Sequence, residues 1–262
     1  MYDFNYQKPA SVADAKKAHQ AAADARYMSG GMTLIPVLKQ RLDKPSDVID
    51  LQGIADLKGI KDNGDSITVG AFTTHYEVHT SSVVKSKIPA LAYLAGLIGD
   101  PMVRNRGTMG GSLANSDPAA DYPAAVLGLG ATIVTDNREI KADDFFQGMF
   151  ETALEPGEMI TAIKFPVPKK AGYQKFPNPA SRYAVVGAFV ADAADGIRVA
   201  ITGAGPCAFR VPAMEAALKK KFSADSLDGI TVPPDDLNSD IHASAEYRAH
   251  LVGVMAKRAV PA

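Results

Sequence analysis

Two short stretches, SGGMTLIP at 29–36 and GTMGGSLANSDPAADYP at 107–123, each set a Gly-Gly pair among hydroxyl residues. No other feature constrains this chain as strongly. Consecutive glycines leave bare backbone and permit positive φ. A turn of that kind running into a helix offers N–H groups to an anion, aided by the helix dipole. Ser29, Thr33, Thr108 and Ser112 add hydroxyl donors beside those amides. Each pair taken alone is equally a tight turn. Taken together they predict two jaws closing on a pyrophosphate, and so a dinucleotide held between two subdomains.

The usual dinucleotide and nucleotide fingerprints do not account for the pattern. GLGAT at 128–132 lacks the third glycine of a G-x-G-x-x-G turn and precedes a strand rather than a helix. No Gly-Lys-Ser/Thr phosphate loop is present. A net charge of −1 over 262 residues gives no electrostatic footprint for nucleic acid. Cys207 is the single cysteine, so this chain can form neither an internal disulfide nor a four-thiolate iron–sulfur site. It is expected to be a buried, inert thiol. The opening MYDFNYQKPASVADAKK lacks the basic-then-apolar pattern of an export signal, and PAAVLGLGATIV at 123–134 is too short to span a bilayer. A cytoplasmic protein without a transmembrane segment is the expectation.

Patterning divides the chain into three parts, 1–54, 55–168 and 169–262. In the first, Ser11 and Asp14 form a capping-box-like start to a helix from Val12 to Ala23. ARYM and SDVIDL read as strands, with a helix from Met32 to Arg41 between them. In the second, Asn63-Gly64 marks a hairpin. TTHYEVHTSS, IPALAYLAGLI and 121–129 read as helices, and ATIVT and EMITAIKFPVP as strands. PKKAGYQKFPNPASRY reads as a boundary or a long functional loop. Two antiparallel strands, a helix opened by Pro212 and a helix over 241–259 follow, the last burying Leu251, Val252 and Met255. His75 and His79 share a helical face at i,i+4, but without a third ligand no metal site is expected and both are read as solvent-exposed.

SGGMTLIPVLKQRL, VRNRGTMGGSLANSDPAADYPAAVLGLGATI and YQKFPNPASRYAVVG together resemble the FAD-binding medium subunit of molybdenum hydroxylases. That family includes the carbon monoxide dehydrogenase medium subunit and the flavin domain of xanthine dehydrogenase, and the resemblance runs nearly end to end. It implies an α+β chain with a p-cresol methylhydroxylase-type FAD-binding fold of two α/β subdomains. A C-terminal domain of antiparallel sheet and helices would follow.

It further implies noncovalent FAD, with Ser29, Gly30, Gly31, Met32 and Thr33 as one jaw and Thr108, Met109, Gly110, Gly111 and Ser112 as the other. Asp121 would lie near the ribityl chain, where a carboxylate can accept from hydroxyls. Its position also suits a helix N-cap. Lys175 and Tyr183 match positions near the isoalloxazine, where a cation would favour the anionic reduced ring and the tyrosine could catalytically gate one face. Without the resemblance they read as a solvated lysine and a half-buried strand tyrosine. Ile160 matches a backbone contact to flavin. Met32 stands where several relatives carry His.

The implied role is electron relay. A large molybdopterin subunit would oxidise substrate, and a small 2Fe-2S subunit would pass the electrons on. This chain would then deliver them to an external acceptor, in a heterotrimer that pairs into a dimer. The alternatives are a free-standing flavoenzyme with its own substrate and a scaffold that has lost flavin.

Overall fold

Ser11 begins the first helix as its sequence predicts, its hydroxyl accepting from the Asp14 amide at 3.1 Å. The computed structural model describes residues 1–261. Helix α1 (Val12–Ala21) and helix α2 (Leu34–Lys39) cross between strands β1 (Asn5–Gln7), β2 (Ala25–Met28) and β3 (Asp47–Asp50). These form a parallel sheet in the order β1-β3-β2, with Tyr27 opposite Ile49. Short crossovers of this kind are why the first segment is a β/α unit. Ala15, Ile49, Leu51, Ile54 and Leu57 fill its core. The second helix is shorter than its predicted span from Met32 to Arg41.

Strands β4 (Ile60–Asp62) and β5 (Ser66–Gly70) form the predicted hairpin, with Gly64 at φ +92°. They join β6 (Thr132–Thr135), β7 (Glu139–Lys141) and β10 (Ile160–Pro166) in an antiparallel sheet ordered β4-β5-β10-β6-β7. A small hairpin, β8 (Phe146–Gly148) and β9 (Glu151–Thr152), precedes β10. One face of this sheet carries helices α3 (His75–Thr80), α4 (Ser82–Lys87), α5 (Pro89–Gly96), α6 (Pro101–Arg106), α7 (Met109–Asn115) and α8 (Tyr122–Gly128), with α9 (Ala142–Phe145) at its end. Thr74 and Glu77 make a full capping box on α3. Every residue of α8 is buried, as its nearly continuous apolar run demands.

The remaining strands, β11 (Lys170–Pro177), β12 (Ala184–Ala193), β13 (Gly196–Thr202) and β14 (Phe209–Arg210), form a four-stranded antiparallel sheet. Helices α10 (Pro212–Lys220) and α11 (Ala245–Ala259) pack on it, and α11 buries Leu251, Val252 and Met255 as expected. The other face of this sheet rests on α8, with Tyr173 and Phe189 entering the same core as Leu127 and Phe165.

Within 107–123 the glycine pair opens a short helix, α7, which Thr108 caps with a hydroxyl that accepts from the Gly111 amide. Two expectations are corrected. The segment read as a boundary or long loop is largely strand β11. It lies at the edge of its sheet, where Pro, Gly and Lys are tolerated because one side needs no ladder partner. Cys207 is half-buried rather than buried.

Arg198, on β13, ties the four-stranded sheet to helices α8 and α9. Its side chain is 7% exposed, donates to the Leu127 carbonyl at the end of α8 at 3.0 Å, and pairs with Asp143 and Asp195. Arg198→Leu should lower the stability of the chain by about 1–3 kcal/mol, since it removes the buried guanidinium's hydrogen bonds to Leu127, Asp143 and Asp195. Chemical denaturation would measure it.

Candidate functional site

The two glycine stretches meet. A Cβ built on Gly30 would sit 2.0 Å from the Arg106 carbonyl oxygen and 2.9 Å from Gly107 Cα, so the loops touch backbone to backbone. Ser29 Oγ and Thr108 Oγ1 lie 2.7 Å apart and join the loops by a hydrogen bond. Gly31 has φ +75°, which feeds β2 into α2. Gly110 packs on the Ala71 backbone, where a Cβ would stand 2.8 Å from the carbonyl oxygen.

The jaws differ in what they offer. The amides of Gly30, Gly31, Met32, Thr33 and Leu34 donate to no acceptor among the described residues. In the second jaw the amides of Met109, Gly110 and Ser112 donate to Thr73, Ala71 and Thr108 carbonyls at 3.0, 2.8 and 3.1 Å. The Gly111 amide reaches Thr108 Oγ1 at 3.2 Å. The reading of two equivalent sets of free N–H groups is therefore corrected: the first loop holds the free amides, and the second supplies hydroxyls and bare surface. The first of the second loop's amides are taken because the start of α7 is moored to the turn that follows β5.

Between the jaws runs a cleft of about 890 Å³, near the top of the range of roughly 300–1,000 Å³ usual for cofactor pockets. Ser29, Gly30, Gly31, Met32 and Thr33 line it, as do Thr108, Gly110, Gly111, Ser112, Asp121, Ile160 and Tyr183. Met109 does not, since its side chain is fully buried in the core of the second sheet. Lys175 does not either. One stretch of wall is apolar, with Leu57, Phe72 and Met159, and another brings Gly99 and Val103 near Ser181, Arg182 and Tyr183.

Asp121 stands at the N-terminus of α8 but makes no side-chain cap. Its carboxylate turns instead to Tyr173, which donates at 2.6 Å, and to Lys175 Nζ at 2.9 Å. The side chains of Asp121 and Lys175 are each 4% exposed. Burial pushes the Asp121 carboxyl up, against the opposing pull of the Lys175 ammonium and the Tyr173 hydroxyl. Burial and the same carboxylate raise the Tyr173 hydroxyl well above its ordinary value. Lys175, read as a cation at the ring, is set behind Asp121 and spends its remaining reach on the Leu97 carbonyl at 3.0 Å.

Tyr173 and Thr202, which sequence reasoning did not single out, hold Asp121 and the loop before it. Thr202 Oγ1 donates to the Ala120 carbonyl at 2.6 Å and the Gly203 amide to the Pro118 carbonyl at 2.7 Å, so the third sheet holds the loop before Asp121 in place. Nothing local in either stretch signals this, because both partners lie more than fifty residues away in the chain. Tyr183 is 46% exposed, and partial burial with Asp117 and Asp121 nearby raises its hydroxyl. His75, expected in solvent, is buried and lines the cleft, and His79 is half-buried with Nδ1 2.9 Å from the Ala92 carbonyl.

Residues 2–168 match the family model for the FAD binding domain in molybdopterin dehydrogenase. The chain belongs to that family. The resemblance continues through the C-terminal part of this family member. The carbon monoxide dehydrogenase medium chain of Afipia carboxidovorans is 35% identical over 98% of this chain and 95% of its own length. The nicotine 6-hydroxylase medium subunit of Paenarthrobacter nicotinovorans is 34% identical, covering 97% of this chain and 95% of its own. A crystal structure of Cu,Mo-CO dehydrogenase superposes with a TM-score of 0.89 at 34% identity, over 99% of this chain and 97% of that one.

The residues present fit FAD. Free amides at 30–34, a bare glycine seam and a long cleft with one apolar stretch suit a diphosphate flanked by two ring systems. Gly30→Ala should drive the jaws apart, costing about 1–3 kcal/mol of stability and lowering flavin content. Thermal unfolding and flavin absorbance of the purified chain measure both.

Proposed function

We propose that this chain is the noncovalent FAD subunit of a heteromeric molybdenum hydroxylase in the cytoplasm, and that it relays electrons rather than oxidising substrate. Its partners are a large molybdopterin subunit and a small 2Fe-2S subunit, assembled as a dimer of heterotrimers, and an external acceptor takes the electrons onward. Residues 1–54 and 55–168 supply the two jaws, and 169–262 carries Lys175 and Tyr183. The observation that carries this reading is the row of amides from Gly30 to Leu34, unpaired among the described residues, in a loop that lines the same cleft as Gly110 and Gly111. The sole cysteine, Cys207, supports the division of labour, since clusters need thiolates this chain does not have.

Bound FAD supplies a centre that takes electrons one at a time and gives them up in pairs. The chain's own residues do the holding. The first-loop amides and the hydroxyls of Ser29, Thr33, Thr108 and Ser112 bind the diphosphate. Asp121 accepts from ribityl hydroxyls and is kept oriented by Tyr173 and Lys175. Tyr183, at the exposed rim, screens a ring face and sets which acceptors approach. Ile160 and Met32 line the same cleft. The relatives act on different compounds by name, carbon monoxide and nicotine, which fits a subunit that does not choose the substrate.

Isolation of the native complex should give flavin absorbance together with molybdenum and iron, whereas the chain alone should retain FAD and hydroxylate nothing. A colourless complex would overturn the reading, and substrate oxidation by the isolated chain would favour a free-standing flavoenzyme. Asp121→Ala should weaken FAD binding by about 1–3 kcal/mol, read as a flavin dissociation constant. Tyr183→Phe should keep FAD while changing the relative reoxidation rates with different acceptors.

A further inference from the structure

Two buried side-chain atoms without a hydrogen-bond partner among the described residues lie on touching rings, His75 Nδ1 and Tyr122 Oη. The ring centroids are 5.3 Å apart with the planes at 56°. Tyr122 is fully buried and His75 is 4% exposed. Unpaired polar atoms this deep cost stability, so a pair of them beside a cleft calls for a reason. His75 is also held firmly. Its amide donates to the Gly107 carbonyl at 2.9 Å. Its Nε2 lies against the second jaw, 2.5 Å from where a Cβ on Gly107 would stand. His75, Gly107 and Thr108 all line the cleft, and Nε2 is the ring nitrogen left to meet it.

We propose that His75 donates a hydrogen bond from Nε2 to an oxygen of the bound dinucleotide, and that Tyr122 fixes it in that role by donating to Nδ1. The proposal rests on the FAD reading above. A neutral imidazole has one donor nitrogen and one acceptor. A tyrosine O–H satisfied at Nδ1 forces the proton onto Nε2, toward the cleft. Burial, with the Arg104 guanidinium near, brings the ring's pKa down to about 4, so the neutral form prevails at physiological pH. Both orphaned atoms then find a partner in each other when the ligand is bound.

The test is a fluorescence titration of the full chain, freed of flavin, with FAD. Wild-type chain that fails to bind FAD overturns the FAD reading and this proposal with it. Wild-type chain that binds isolates the present claim. His75→Leu should then weaken binding by about 10- to 100-fold, and His75→Gln, whose amide nitrogen can stand near the Nε2 position, should restore it to within about threefold. Tyr122→Phe should weaken FAD binding by about 3- to 10-fold while leaving the thermal midpoint of the FAD-free chain unchanged or higher, since it deletes an unpaired buried hydroxyl. Nitrogen NMR of wild-type chain should show the His75 proton on Nε2 with FAD bound. Unchanged affinity in His75→Leu, equal losses in the Leu and Gln variants, or a proton on Nδ1 would each overturn the proposal.

Discussion

The structure depends on a contact between two pieces of bare main chain. Gly30 presses on the carbonyl of Arg106, and the Ser29 and Thr108 hydroxyls join across the seam. The first loop comes from a parallel β/α unit and the second from the helical layer over an antiparallel sheet. Any side chain at the seam would separate the units and widen the cleft that they enclose. Glycine is required there by proximity as much as by backbone freedom. Gly30 is not at positive φ, whereas its neighbour Gly31 is. The contact also sorts the donors. Mooring α7 uses up the amides of the second loop, which leaves the free ones in the first.

A second constraint is the buried carboxylate at the head of α8. Asp121 is too deeply placed to stay charged without partners, and it has two, Lys175 and Tyr173 from β11. The loop leading to it is held by Thr202 and Gly203 from the third sheet. The C-terminal sheet thus sets the position of a group that faces the cleft between the other two parts of the chain. It does more than close the core.

The local signals were legible where a short stretch decides its own conformation. Ser11 capping α1, Asn63-Gly64 turning β4 into β5, and the apolar spacing of α11 all appear as read. Where a stretch depends on what lies beside it, reading fails. β11 carries Lys, Gly and Pro and looks like a linker, yet it is a strand because β12 pairs with it from one side. His75 looks like a surface residue of a polar helix, yet the second jaw and Tyr122 bury it.

The sequence by itself determined the chemistry on offer: two glycine loops with hydroxyl flanks, one aspartate before an apolar helix, and too few thiols for a cluster. Those are properties of residue type and spacing, and the family resemblance follows from them. Only the tertiary structure decided which amides are free, that Lys175 neutralises Asp121 instead of reaching the cleft, and that Met109 serves the core. Hydrogen-bond commitment and burial are set by partners far away in the chain, and no local pattern specifies where those partners will be.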